Sequence, residues 1–181
     1  MSAPPQAVTV RPLHRLDAGH AVDAVFAQLS PRSRYLRFHS PVPRLTAGVR
    51  AQLVDLDGYR RAAVVAEVPG PEGPVPIGIA RLAGSGGGPA DVAVAVVDAW
   101  QRRGVGTRLF TALAALAEEI GYTELHGAVL PHNVAMQAMV RSAFPWARSA
   151  WDGDVVQLVV PIGPAAWTIT DEDLMADLLR R

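Results

Sequence analysis

The stretch from Val96 to Thr107 holds the residues best suited to chemistry on an anionic group. It consists of the end of an apolar strand, a turn, and a helix start that contains Gly104 and Gly106. Glycine lets a backbone approach a ligand closely, and the first turn of a helix offers unpaired N–H donors with a partial positive charge. Arg102, Arg103 and Arg108 add charge nearby. The segment predicts a phosphate or pyrophosphate site, with an ordinary strand-to-helix turn as the alternative.

Two nucleotide-binding motifs are excluded at this turn. A dinucleotide fingerprint needs a third glycine at the position of Leu109. A phosphate-binding P-loop needs a lysine, and all 17 basic residues of the chain are arginine. An anion at this turn would therefore be held without either motif.

The turn resembles a known family motif. Residues Gln101 to Gly106 resemble the Q/R-x-x-G-x-G/A motif of the GNAT superfamily of acetyl-CoA-dependent N-acetyltransferases. The stretch from Leu130 to Met136 is similar to the family's next strand and the Asn-x-x-Met start of its following helix. The resemblance implies an α+β, three-layer fold. Its central sheet would be mixed and mostly antiparallel, with a splay between two central strands and helices on both faces.

The resemblance also implies how the cosubstrate acetyl-CoA is held. The pantetheine arm would pair with the splayed strand near Val94 and Val96, where a backbone N–H would stabilise the oxyanion of the reaction. Asn133 would contact the cosubstrate from the next helix. The pyrophosphate would lie on the turn, whose expected binding residues are Gln101, Arg102, Arg103, Gly104, Val105, Gly106 and Thr107.

A narrower resemblance lies upstream. Residues Leu29 to Ser40 are similar to the L-S-P-x-S-x-Y-x-R-F segment of bacterial protein lysine acetyltransferases that act on acyl-CoA synthetases. Those enzymes use an acidic general base in an Ala-Glu-Val-Ala context, which is Ala90 to Ala93 here. Asp91 is therefore the expected catalytic base, one methylene shorter than glutamate. A solvated or arginine-paired aspartate is the alternative.

Other side chains carry weaker expectations. Many family members have a tyrosine acid seven residues after the asparagine, and that position is Val140 here. A thiol pKa of about 8.5 allows the thiolate to depart without that acid. His126 could line the acceptor cleft, although a packed or surface histidine is the default. The spacing of His14, His20 and His39 fits no metal site, so no metal is expected.

Hydrophobic periodicity predicts the elements that position these residues. Strands are expected at 8–10, 62–68, 75–82, 91–97, 124–130 and 155–160. A first helix is expected after a cap at Asp17, and a short one at 33–38 after the start signal Ser30-Pro31, with proline at the first helical position. Further helices are expected from a cap at Thr46 to about 56, from the glycine turn to about 120, and at 133–143. Residues 84–89 are expected to form a flexible connector.

Length and composition indicate one domain over residues 1–181, because a half-apolar chain of this size can bury a core. Residues 1–7 are expected to be a flexible terminus, and residues 161–181 a C-terminal extension with a short helix starting near Thr170. Zero net charge argues against a nucleic-acid partner, and the absence of cysteine excludes disulfides. No apolar run is long enough for a membrane span, so a cytoplasmic protein is expected. It is expected to be a monomer or a homodimer.

Three functions stay open from the sequence. The first is acetylation of a lysine side chain in another protein, with an acyl-CoA synthetase as one candidate acceptor. The second is acetylation of a small-molecule amine. The third is a non-catalytic acetyl-CoA-binding regulatory module, which the shortened acid at position 91 and the missing tyrosine would suit.

Overall fold

The computed structural model describes residues 7–163 of the chain. The strands are β1 (Thr9–Pro12), β2 (Arg61–Gly70), β3 (Gly73–Gly84), β4 (Gly88–Val96), β5 (Tyr122–Val129), β6 (Arg148–Asp152) and β7 (Val155–Pro161). The α-helices are α1 (Arg15–Ala27), α2 (Pro31–Phe38), α3 (Ala47–Val54), α4 (Val105–Ile120) and α5 (Val134–Ala143). A single 3₁₀ turn, Asp98–Trp100, lies between β4 and α4 in this range.

All seven strands form one sheet in the order β1-β2-β3-β4-β5-β7-β6. Every neighbouring pair is antiparallel except β4 and β5, which run parallel. The expected mixed and mostly antiparallel sheet is therefore confirmed. Within residues 7–163 no helix is both long and apolar enough to cross a membrane.

The two faces of the sheet bury separate apolar cores. On one face, α4 packs Leu109 into a cluster with Leu82 of β3. On the other face, α1 packs Ala21 into a cluster with Val65 of β2. Val64 belongs to the first cluster although it neighbours Val65, because successive side chains of a strand point to opposite faces. The predicted placement of helices on both faces is confirmed.

Local signals fix the helices nearest the site. Ser30 accepts a hydrogen bond from the Ser33 N–H at 3.2 Å, and Pro31 occupies the first position of α2. This N-cap and proline were both expected from the sequence. Gly104 and Gly121 stand at the two ends of α4 in the left-handed conformation, which glycine adopts without steric cost.

The start of the first helix differs from the prediction. α1 begins at Arg15 after His14, so Asp17 lies inside its first turn rather than at its cap. The Asp17 carboxylate instead meets Arg11 of β1 at 3.2 Å. An acidic residue is favourable in the first helical turn as well as at the cap, so the sequence pattern alone did not separate the two positions.

Three other stretches also differ from the prediction. The connector expected at 84–89 is mostly strand, because β3 and β4 form a hairpin whose turn takes only residues 85–87. α3 ends at Val54 rather than near position 56. β6 was not predicted, since all five of its residues are exposed and show no alternating burial. Residues 1–6 of the expected flexible terminus and the helix expected near Thr170 lie outside the described residues.

Candidate active site

The central feature of the site is a gap between β4 and β5. The two strands pair from Gly88 with Tyr122 to Asp91 with His126, and no further. β4 nevertheless continues to Val96. Residues 92–96 of β4 are thus unpaired on this side over a length of about 17 Å, at the usual rise of a strand. The predicted splay is located between these two parallel strands.

Backbone groups of β4 alternate between β3 and the gap. The N–H of Val97 donates to the carbonyl of Ile77 in β3 at 2.9 Å. In an antiparallel pair this places the odd-numbered residues of β4 in hydrogen bonds with β3. The N–H groups of Val94 and Val96, which were selected from the sequence, therefore face the gap. The carbonyl of Val96 there accepts a hydrogen bond from the Gln101 side chain at 3.0 Å.

The turn after β4 leads to the exposed N-terminus of α4. Gly104 precedes the helix with a φ of 77°, and no side chain caps its first N–H groups. Arg102 also has a positive φ, of 59°. A Cβ atom built on Gly104 would meet nothing within 4 Å. Donors without a side-chain partner are thus reached through open space, which suits an anion.

The three arginines of this region behave differently. Arg102 is exposed at the turn. The guanidinium of Arg103 lies over the ring of Trp100, 5.2 Å from its centroid, and so stays beside the turn. Arg108 instead donates to the carbonyl of Val8 at 2.7 Å. Its charge is directed to the start of β1 at the far edge of the sheet, so the expectation that it adds charge at the turn is not met.

The other turn residues contribute mainly through their backbone. The side chain of Val105 is buried in the core, so only its N–H is available. A Cβ on Gly106 would lie 3.1 Å from the sulfur of Met139, so a side chain there would press on α5. Thr107 is exposed. The Gln101 amide N–H₂ donates to the Ser33 hydroxyl and the Val96 carbonyl, each at 3.0 Å, and thereby positions the turn.

Asp98 ties this turn to α2. Its carboxylate accepts hydrogen bonds from the N–H and hydroxyl of Ser30 at 2.9 and 2.7 Å, and from the hydroxyl of Ser33 at 2.9 Å. Burial raises the pKa of Asp98, but the bonds from Ser30 and Ser33 outweigh burial and hold that pKa below its usual value. The segment that resembles lysine acetyltransferases is therefore anchored on the candidate cosubstrate turn.

Asp91 lies at the closed end of the gap, in register with His126 of β5. Ala93 and Ala95, two and four residues further on, line a cavity beneath α1 and α2. The period of a strand therefore places Asp91 on the same side of the sheet as that cavity. The Asp91 side chain is exposed, and its carboxylate makes no hydrogen bond or ion pair with any other residue between positions 7 and 163. Within that range it is not paired with an arginine, and its exposure fits the solvated form of the alternative as well as a free base.

His126, which the sequence put forward as a possible lining residue of the acceptor cleft, stands beside Asp91. The Nε2 atom of His126 lies 2.9 Å from Oε2 of Glu124. Arg148 of β6 approaches the other oxygen of Glu124 at 3.4 Å. The strand pairing places His126 opposite Asp91, so imidazole and carboxylate flank the closed end of the gap. The structure thus places His126 at the gap, and its hydrogen bond with Glu124 is the contact that the sequence did not indicate.

The helix after β5 borders the other side of the gap. Asn133 caps α5 by accepting the Met136 N–H at 3.3 Å, which leaves its amide nitrogen without a partner in the described chain. Val140 is fully buried, so no hydroxyl replaces the family's tyrosine there. The ring of His132 stacks on Tyr35 of α2, with centroids 6.3 Å apart and planes inclined by 18°.

Acetyl-CoA fits these residues. The unpaired backbone of β4 offers hydrogen bonds to an extended, amide-bearing chain, as an open strand edge does. The left-handed turn with exposed Arg102 and Arg103 offers donors and charge to a pyrophosphate. No group of three or more acidic, histidine or cysteine side chains within residues 7–163 could hold a metal ion.

The class of protein that this sheet and turn define is an acyltransferase that takes its acyl group from a coenzyme A thioester. The family model described as acetyltransferase (GNAT) family matches residues 34–144, more than half of the chain. The chain belongs to this family of acetyltransferases, and acetyl-CoA is its cosubstrate.

Solved structures place the chain among acetyltransferase domains. The GNAT domain of S. lividans PAT is 26% identical at a TM-score of 0.74, covering 89% of this chain and 100% of that one. A cAMP-binding acyltransferase from Mycobacterium smegmatis is 24% identical at a TM-score of 0.56, over 94% of this chain and 48% of its own. This chain thus spans about half of that protein.

A more distant structure shares the fold. A phosphinothricin acetyltransferase from Sinorhizobium meliloti, in complex with acetyl-CoA, is 14% identical at a TM-score of 0.67. The match covers 91% of this chain and 94% of that one. No curated protein sequence matches the chain significantly.

Proposed function

We propose that this acetyltransferase moves the acetyl group of acetyl-CoA to a lysine side chain of another protein, with Asp91 as the general base. The likeness of Leu29 to Ser40 to bacterial lysine acetyltransferases supports this acceptor class. The match to the whole GNAT domain of S. lividans PAT is in keeping with it. An acyl-CoA synthetase is the acceptor that the narrower resemblance favours.

The position of Asp91 is the observation on which the proposal rests. An alkylammonium has a pKa of about 10.4 and must lose a proton before its nitrogen can attack a carbonyl carbon. Asp91 stands at the closed end of the gap, on the side of the cavity, with no competing partner in the described chain. Its carboxylate would accept that proton directly or through one water molecule, and the short side chain leaves room for the water.

Backbone groups and one side chain would bind acetyl-CoA and stabilise its carbonyl oxygen. Bound acetyl-CoA supplies an acetyl group activated as a thioester. N–H groups of residues 102–107 would hold its pyrophosphate, and the free amide nitrogen of Asn133 would contact it from α5. The Val94 N–H would donate to the carbonyl oxygen of the acetyl group. Because Val140 is buried in the core, α5 offers no acid at the position of the family's tyrosine.

A small free amine is the second candidate acceptor. The observation that favours it is the cavity of about 50 Å³ that Ala93 and Ala95 border. It lies between α1, α2, α3 and the sheet, beside the strand that carries Asp91. A partly enclosed apolar space suits a small molecule better than a polypeptide segment.

Incubation of the protein with acetyl-CoA, purified acyl-CoA synthetases and a panel of small amines tests the proposal. We expect CoA release together with acetyl-lysine on an acceptor protein, detected by mass spectrometry. Since the 181 residues contain no lysine, every acetyl-lysine found must lie on the acceptor. Asp91→Asn should abolish the signal, while Glu119→Gln, which changes an exposed carboxylate on α4, should keep it. Turnover of small amines with no protein acetylation would overturn the protein acceptor.

A further inference from the structure

Arg37 of α2 lies in the wall of the cavity that Ala93 and Ala95 border. It has no anionic partner within residues 7–163. Arg37 and Arg81 are the two charged residues that line this space of about 50 Å³. The remaining lining is apolar, including Phe26 of α1 and Ala93 of β4. The Arg37 guanidinium lies 4.9 Å from the ring centroid of Phe38 and makes no hydrogen bond or ion pair within residues 7–163.

Arg81 is only partly satisfied at the same wall. Its Nη2 atom donates to the carbonyls of Gln52 at 2.9 Å and Asp55 at 3.4 Å. Its Nε atom is buried and has no hydrogen-bond partner among the described residues. Burial, and then the like charge of Arg81, lower the pKa of Arg37 to about 10. Two desolvated guanidinium groups therefore share one apolar cavity, and no carboxylate within residues 7–163 bonds to Arg37.

Such an arrangement is unfavourable unless an anion joins it. A buried cation without a counter-ion loses hydration that nothing replaces, and two like charges add repulsion. A carboxylate placed between them would supply the missing partner, and guanidinium groups match carboxylates in shape. We propose that Arg37, together with Arg81, binds a carboxylate of the acceptor, so that preferred acceptor amines carry a carboxylate on a short apolar stem.

The cavity lies beside β4, the strand that carries the proposed base Asp91. In relating the carboxylate subsite to that base, the inference rests on the proposed function. Arg81 is paired in register with Ala93, which is two residues from Asp91 on the same side of the sheet. A molecule anchored by its carboxylate at Arg37 and Arg81 therefore extends along β4 toward the base. A water needs about 10–15 Å³, so the cavity holds a carboxylate and a few methylene groups.

Two kinds of acceptor carry this chemistry. One is a free amino acid whose amine and carboxylate are separated by a short chain. The other is a protein lysine with a glutamate side chain beside it, because that side chain is a carboxylate on two methylene groups. The binding and catalytic measurements below use probes that differ only in this carboxylate.

Binding is measured first, on the protein saturated with CoA, by titration with hexanoate and with hexanamide. We expect hexanoate to bind and hexanamide to bind at least about tenfold more weakly, since a hydrogen-bonded charge pair is lost. Arg37→Gln should abolish the preference, and Arg37→Lys, which keeps the charge, should retain part of it. The matched control is Arg32→Gln, which removes an exposed arginine from the same helix and should behave as the wild type.

Catalysis is measured with two matched acceptor pairs. The first pair is 6-aminohexanoate and 6-aminohexanamide, and the second is a lysine peptide with glutamate or glutamine beside the lysine. We expect kcat/KM to favour the carboxylate member of one pair by about tenfold or more, and Arg37→Gln to reduce the ratio to near one. The pair that shows the preference identifies the source of the carboxylate.

The outcomes separate this inference from the proposed function. If no acceptor is acetylated but hexanoate binding depends on Arg37, the carboxylate site stands and the proposed acceptor class fails. If acetylation occurs with equal rates for both members of each pair and Arg37→Gln changes neither binding nor rate, the carboxylate site is refuted. Melting curves show whether Arg37→Gln is folded. If it is not, the same comparisons are made with Arg37→Lys, and an unchanged preference in that variant refutes the site.

Discussion

Replacing Gly104 by alanine separates the cost of a strained turn from the cost of a lost ligand contact. Gly104 and Gly121 flank α4 with φ values of 77° and 101°. A Cβ built on either residue would meet nothing within 4 Å. An L-residue in the left-handed region costs about 1–2 kcal/mol, so both alanine variants should lose stability without a clash. Only Gly104 lies at the proposed pyrophosphate site, which makes Gly121→Ala the matched control.

The expected magnitudes differ between the two measurements. For a domain of this size, 1 kcal/mol lowers Tm by about 2–4 °C, so both variants should melt about 2–8 °C below the wild type. At position 104 the new methyl group projects into open space. If the proposed site is correct, that methyl group would hinder the approach of a phosphate to the first N–H groups of α4. Loss of one charge-assisted hydrogen bond costs about 1.5–3 kcal/mol, which is about 10- to 150-fold in Kd.

Thermal melts without ligand and calorimetric titration with acetyl-CoA give the two quantities. We expect similar losses of Tm in both variants and a loss of acetyl-CoA affinity in Gly104→Ala alone. Wild-type affinity in Gly104→Ala would show that the turn does not hold the cosubstrate. An equal loss of affinity in Gly121→Ala would show that helix stability, rather than a phosphate contact, determines binding.

Three further predictions concern the base and the scaffold. Asp91→Asn should lower kcat by about 10²- to 10⁴-fold with an unchanged Kd for acetyl-CoA, and kinetics at wild-type rate would exclude Asp91 as the base. Asp98→Asn should cost about 1 kcal/mol of unfolding free energy at pH 7 after solvent screening. Because the pKa of Asp98 is lowered in the folded state, the difference in unfolding free energy between wild type and variant is present above about pH 4. It disappears as the pH falls through the pKa of Asp98 in the folded protein. A difference that stays constant down to about pH 2 would show that the Asp98 charge is not its cause. Arg11→Met leaves the Glu67 carboxylate, only 6% exposed, without its partner and should cost about 3 kcal/mol in urea unfolding. Adding Glu67→Met should recover most of that loss, and no recovery would mean that the charge pair is not the cause.

The open turn before α4 could be predicted from the sequence because its determinants are local. The motif from Gln101 to Gly106 is continuous, and a glycine before a helix signals the open turn that the structure contains. Val94 and Val96 were expected from the family resemblance, and the register of β4 with β3 directs their N–H groups toward the gap. The same local logic explains why the caps of α2 and α3 were predicted.

On the acceptor side Asp91 was proposed from the sequence, but the contacts around it could not be predicted because they join distant residues. Asp98 bonds to Ser30, 68 positions away, and neither residue signals the other. Arg34 and Arg37 lie on one helix turn, yet Arg34 donates to the Pro43 carbonyl at 2.6 Å while Arg37 lines the cavity without an anion. Only the packing of α2 against the sheet distinguishes the two arginines.

α2 contacts both the proposed cosubstrate turn and the proposed acceptor cavity, so the turn and the cavity cannot be changed independently. Its start is hydrogen-bonded to Asp98 and, through Ser33, to Gln101 of the cosubstrate turn. Its end places Arg37 in the cavity beside β4. α2 has eight residues in all and is about 12 Å long, so its two ends move together. A shift of α2 that widens the cavity for a larger acceptor therefore also strains the bonds that hold the turn, and selection for a new acceptor has to preserve both ends of one helix.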